Sequence, residues 1–238
     1  MIEDYVKAKD FLNYPIICDE VYKKPSHECN QFGKLYHENS DIYVYKDLMI
    51  ITLIASLYVN KYYDYKLKIN DCLRTVDAQA KMELIAIKNN WPSSMVSRPG
   101  EGLHPKGLAI DVELIDENHK LLDMGSKFDE FSSNPDEFHN KSHRFYVGLS
   151  ENHKKNRKIL DEAFIYAAKK CKVEINFLET EWWDFRYKSD IFNLKPLYDK
   201  ELPKNMRLIK ENLILDEVII NDKIAKDSII YVKDNAYL

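Results

Sequence analysis

Apolar and polar positions alternate along this chain with two distinct periods. From Asp47 to Tyr63, Leu48, Ile51, Leu53, Ile54, Leu57 and Tyr58 recur at helical spacing, which predicts a core helix. Leu67 to Leu73 alternates and predicts a strand that delivers Arg74 at its C-terminal end. Val76 to Lys88 is again helical, with Ala78, Met82, Leu84, Ile85 and Ile87 inward, and Asn89-Asn90-Trp91-Pro92 ends it. The apolar run Leu108 to Leu114 predicts a buried strand. Asp116 to His119 reads as a turn, with Lys120-Leu121-Leu122 returning as a short hairpin strand. Residues 130–150 are Ser- and Asn-rich, a loop of a length that is often a functional lid.

Glu151 to Lys170 predicts an amphipathic helix. Ile159, Leu160, Ala163, Phe164, Ala167 and Ala168 face inward; Lys154, Lys155, Arg157 and Lys158 face outward. Val173 to Leu178 leads into Glu181-Trp182-Trp183-Asp184-Phe185. Residues 1–40 read as an irregular layer over the core. Helices and strands are segregated, so the expected fold is α+β, with a mostly antiparallel central sheet and packed helices. It is expected to span residues 1–195. Residues 196–238 form an appendage, with a small hairpin expected from Val218-Ile219-Ile220 and Ile229-Ile230-Tyr231-Val232.

Composition narrows the function classes. The 238 residues are 45% hydrophobic and 31% charged, ordinary for a globular chain with a sizeable core. A formal net charge of −4 gives no pull towards nucleic acid or an anionic membrane. The run Leu48 to Val59 is too short to span a bilayer. Met1-Ile2-Glu3-Asp4-Tyr5 has no secretory signal pattern, and the four cysteines (Cys18, Cys29, Cys72, Cys171) form no CxxC pair. Reduced thiols in the cytoplasm are therefore the expectation.

The candidate chemistry centres on Gly100 to Val112, where a Gly- and Pro-rich loop becomes an apolar strand. His104 sits on the loop and Asp111 inside the apolar run, where an unpaired carboxylate costs several kcal/mol. A turn at Gly107 lets the two converge on one metal ion, although a loop His and a structurally paired Asp fit this stretch equally well. Glu181 and Asp184 form a second acidic pair beside two tryptophans. They are three residues apart, so a bend at Trp182-Trp183 is needed to aim both at one place. Arg74 ends a strand, and Asp129 follows a Gly-containing turn. Taken alone, Arg74 reads as an ion pair and Asp129 as a helix cap. His139 and His143, four apart, read as solvated or structural, with a ligand role as the alternative.

Together these residues resemble the zinc D-alanyl-D-alanine dipeptidases of the VanX type. The segment Gly102-Leu103-His104-Pro105-Lys106-Gly107-Leu108-Ala109-Ile110-Asp111 fits the family pattern SxHxxGxAxD at the His, Gly, Ala and Asp. Glu181-Trp182-Trp183-Asp184 matches Glu-Trp-Trp-His except at its last position. Leu73-Arg74-Thr75 and Met124-Gly125-Ser126-Lys127-Phe128-Asp129 match two further segments, so the likeness covers roughly residues 40–190. It implies hydrolysis of D-Ala-D-Ala or a related short peptide by one Zn²⁺ per chain. His104, Asp111 and Asp184 would be ligands, Glu181 the general base, Arg74 the oxyanion partner and Asp129 the anchor of the substrate's ammonium group. Two departures stand out: Gly102 replaces a Ser, and Asp184 replaces a ligand His. Two carboxylates would cancel the charge of a divalent ion and favour harder ions such as Mn²⁺. A metal-poor relative that binds a peptide or cell-wall fragment, or a carboxypeptidase acting on cell-wall peptides, are the alternatives.

Overall fold

The computed structural model describes residues 2–92, 95–188 and 194–209. Short strands β1 (Tyr5–Lys7), β2 (Ile16–Cys18) and β3 (Tyr43–Tyr45) lie in the N-terminal layer. They are followed by α1 (Lys46–Tyr63), β4 (Lys66–Asp71), α2 (Val76–Lys88), β5 (Ala109–Ile115), α3 (Glu151–Cys171), β6 (Glu174–Phe177) and β7 (Asp184–Lys188). The fold is α+β, as expected. The central sheet has five strands in the order β2-β4-β5-β7-β6, and β1 pairs with β3 in a separate ribbon. Three of its pairings are antiparallel, but β2 runs parallel to β4. The sheet is therefore mixed, because the supposedly irregular N-terminal layer contributes an edge strand. Leu121 meets Ile115 in the expected short return.

The helices begin and end where local chemistry dictates. Thr75 caps α2 by accepting from the Ala78 N–H, and Ser150 caps α3 by accepting from His153. Asp64 and Lys172 close α1 and α3 in the left-handed conformation. Helices α1 and α3 pack on one another and on one face of the sheet. There Phe164 of α3 stacks on Phe185 of β7 with ring centroids 3.9 Å apart. Because side chains alternate along a strand, Asp184 and Arg186 point to the other face, and the candidate site forms there.

Two expected orientations differ. Leu57 is 47% exposed rather than inward. Arg157 is buried rather than outward, donating to the carbonyls of Met124, Lys141 and His143 and lying over the Trp182 ring. The 123–147 loop offers more carbonyl acceptors than its own backbone can use, and a guanidinium with five donors answers them. Burial lowers the Arg157 pKa to about 10. Residues 194–209 lie against the domain, with Leu197, Leu202, Met206 and Leu208 buried and the Leu197 N–H bonded to the Pro105 carbonyl. The expected hairpin of Val218 to Val232 lies outside the described residues. No helix among the described residues is long and apolar enough to cross a membrane.

Candidate active site

Register creates the site. Asp71 of β4 pairs with Asp111 of β5, and Asp111 pairs with Asp184 of β7, so three buried aspartates stand in a row across neighbouring strands. A shift between Ile69 and Asp71 brings Asp71 into line. Like charges directly opposite one another are destabilising, so the row needs cations. Arg74, His104 and Arg186 supply them.

His104 arrives on a short 3₁₀ turn, His104–Lys106, closed by Gly107 at φ 62°. A Cβ at Gly107 would stand 2.6 Å from the Tyr5 ring, so this turn requires glycine. The His104 Nδ1 lies 2.7 Å from the Cys72 carbonyl, which only accepts, so that nitrogen carries a hydrogen. Its Nε2 faces Asp111 Oδ1 at 3.5 Å and Asp184 Oδ2 at 3.6 Å. Asp111 Oδ1 is buried and accepts no hydrogen bond. Burial opposes charge on His104, but Asp111 and Asp184 outweigh it and push the pKa up to about 10. Burial raises the pKa of Asp111, while the contacts of Asp184 with His104 and Arg186 overcome its burial and lower it.

Asp71, His104 and Asp111 also form a compact group whose donor atoms lie within 4.8 Å of one another. Asp71, however, approaches Nδ1 at 3.9 Å, the nitrogen already committed to Cys72. Its oxygens take Tyr36 OH at 3.1 Å and Arg74 at 2.7 and 2.9 Å. Asp71 therefore fixes Arg74, whose Nη2 also reaches Asp111 Oδ2 at 3.6 Å and Tyr22 OH at 3.4 Å.

The expected bend between Glu181 and Asp184 is present. The Asp184 N–H bonds to the Glu181 carbonyl across the turn, with both tryptophans buried behind it. Trp182 Nε1 donates to Ser126 Oγ at 2.8 Å, tying the turn to the 123–147 loop. Glu181 lines a small cavity with Trp183, Phe131, Thr180 and Ser142. Desolvation, then the Asp184 and Asp111 carboxylates, raise its pKa to about 7.

Asp129 is buried at φ 56°, an uncommon conformation for a non-glycine residue, and accepts from Tyr22 OH at 2.6 Å. Burial holds its pKa well above the usual carboxylate range despite that bond. His139 is exposed and pairs with Asp136, whereas the buried His143 accepts from the Phe145 N–H at its Nδ1. Asp71, Arg186, Tyr22 and Tyr36 were not singled out from the sequence. Asp71 and Arg186 each lie close in the chain to a residue that was, but Tyr22 and Tyr36 carry no motif.

A histidine between two carboxylates, a glutamate that titrates near neutrality and a buried guanidinium are the parts of a hydrolytic site. The chain belongs to the peptidase family M15, described as D-ala-D-ala dipeptidase, whose model matches residues 26–204. It is also 27% identical, over 161 residues, to the D-alanyl-D-alanine dipeptidase of Escherichia coli (strain K12), a match covering 66% of this chain and 72% of that protein.

Proposed function

We propose that this protein is a metal-dependent dipeptidase of the VanX type, cleaving D-alanyl-D-alanine or a closely related short peptide. His104, Asp111 and Asp184 would hold one Zn²⁺. The carrying observation is that His104 Nε2 faces Asp111 Oδ1 and Asp184 Oδ2 at 3.5 and 3.6 Å. Donors roughly 2.0–2.2 Å from a tetrahedral zinc lie about 3.4 Å from one another, which matches the separation of His104 Nε2 from each of the two carboxylate oxygens. The bond from Nδ1 to Cys72 keeps Nε2 turned towards the ion, and an ion would satisfy the unpartnered Asp111 Oδ1.

An ion held there would supply Lewis acidity to the scissile carbonyl and to a bound water. Glu181, at about 7, takes a proton near neutral pH and returns it to the leaving amine. Arg74, anchored by Asp71 and Tyr22, offers fixed positive charge to the oxyanion. Asp129 receives the substrate's ammonium group, which favours its ionised form. The free cysteines support a reducing compartment, the cytoplasm, and a net charge of −4 gives no reason to expect nucleic acid or membrane partners.

Elemental analysis of the purified protein, paired with D-Ala-D-Ala hydrolysis before and after chelation, tests this reading. Near-stoichiometric zinc and activity lost with the chelator and restored by the ion are expected. A second reading, a peptide binder without metal, draws on Arg186, which donates to both Asp184 oxygens. No metal under zinc-replete conditions, with peptide bound but not cleaved, would replace the first reading by the second.

A further inference from the structure

We propose that Arg186 is a positioning residue for the ion, forking Asp184 so that the pair acts as one formally neutral oxygen donor. This rests on the ligand set proposed above. Asp184 and Arg186 are two apart on β7 and so share a face. Arg186 Nε lies 2.8 Å from Asp184 Oδ1, and Nη2 lies 2.9 Å from Oδ2, a parallel two-bond fork. An ionised carboxylate offers roughly four acceptor sites, so each oxygen retains capacity beyond the fork. Oδ2 is the oxygen that His104 Nε2 faces, at 3.6 Å. The fork thus fixes the carboxylate plane and leaves Oδ2 available to the ion.

Charge points the same way. Two carboxylates would cancel a divalent ion, removing the positive field that polarises a carbonyl. The Arg186 guanidinium restores one positive charge, the balance of a set with one carboxylate and neutral imidazoles. Arg74 does not do this for Asp71: both of its contacts converge on Asp71 Oδ2, and that oxygen faces the committed Nδ1. Asp184 and Arg186 therefore form a unit that substitutes for a neutral ligand at the third position.

The test is zinc affinity, measured by competition with a chromophoric chelator. Wild type, Arg186→Gln, Arg186→Lys, Asp184→His and the double variant Asp184→His/Arg186→Gln are compared, with circular dichroism checking each fold. Arg186→Gln should weaken zinc binding by about 10- to 100-fold. Arg186→Lys keeps the charge but not the fork and should bind no more tightly than Arg186→Gln, because an unforked cation beside the site only repels the ion. With His at position 184, loss of Arg186 should change affinity by less than about threefold, because no carboxylate remains to be oriented. Unchanged or tighter binding in Arg186→Gln, or an equal loss in both backgrounds, overturns the proposal while leaving the metal site standing. Failure of the wild type to bind zinc overturns the metal site and this proposal together.

Discussion

One face of the central sheet carries two buried charged clusters, and they are built on opposite terms. Lys68 of β4 pairs in register with Glu113 of β5, its Nζ 2.9 Å from Glu113 Oε2 and 3.0 Å from Asp19 Oδ2. Asn70 donates to the same Glu113 oxygen at 2.9 Å. Burial works against the Lys68 ammonium, but the two carboxylates prevail and raise its pKa. Two residues back along β5, Asp111 stands in the row Asp71–Asp111–Asp184. There one oxygen accepts nothing, and a histidine and a glutamate titrate far from their usual values. The first cluster is close to self-sufficient, although Asn70 Oδ1 is unpartnered. In the second, Asp111 Oδ1 accepts no hydrogen bond, and its nearest cation, His104 Nε2, stands 3.5 Å away. Buried charge that is matched locally stabilises the fold; buried charge left short of a partner marks where a ligand belongs.

The widest separation between the two clusters should come from Glu181→Gln. Turnover is expected to fall 10²- to 10⁴-fold with zinc content and melting temperature retained. Unchanged turnover would remove Glu181 from the chemistry. The converse is Lys68→Met, which leaves the buried Glu113 without a cation while Asp19 keeps Lys24 and His27. It should cost about 3–5 kcal/mol in denaturant unfolding and leave the zinc affinity of the folded protein unchanged. A weakened zinc site in that variant would mean that the clusters act as one.

A pH series on metal-free protein separates them more finely. His104 holds its proton to about 10 in the fold, against an ordinary value of 6.5. Its contribution to stability is therefore fully present below pH 6.5 and is lost as pH rises towards 10. Denaturant midpoints measured in chelator should fall between pH 7 and pH 10, and zinc should offset the fall by taking the place of that proton. Lys68, raised above 10.5, stays charged across this window. A flat profile in chelator would show that the imidazole is not held as the cation. The smallest expected effect is that of Gly102→Ser, which installs the residue that the VanX resemblance implies there. Gly102 sits at φ 80°, where a side chain costs about 1–2 kcal/mol, although a Cβ would meet only Ser97 Oγ at 4.0 Å. A melting temperature equal to wild type would show that the turn relaxes.

Local pattern made the helices legible. Val76–Lys88 has the expected ends because Thr75 caps one and Asn89-Asn90 breaks the other. Leu108–Leu114 was shifted by one residue from β5, since an apolar run does not show where pairing begins. The bend at Trp182-Trp183 followed from Glu181 and Asp184 needing the same target. What stayed hidden was long-range. The parallel edge strand β2, the place of Asp71 in the row and the reach of Tyr22 to Asp129 depend on pairings across the chain. Arg157 misled because a basic residue among lysines resembles a solvated face, and its partners are carbonyls of a distant loop. Arg186 carries no signal of its own in the sequence, because its meaning depends on the Asp two residues before it lying beside His104.

Alignment of three aspartates by strand register has a consequence for how this chain can change over generations. One residue inserted into or deleted from β7 would exchange Asp184 for Phe185 on the site face and turn a carboxylate towards the α3 side, where Phe164 now stacks. Lengthening the 116–150 connection need not disturb the β5–β7 register at all. Drift in chain length should therefore accumulate in that connection and be purged from β4, β5 and β7, so that the oldest spacing in the molecule is measured across strands rather than along the chain.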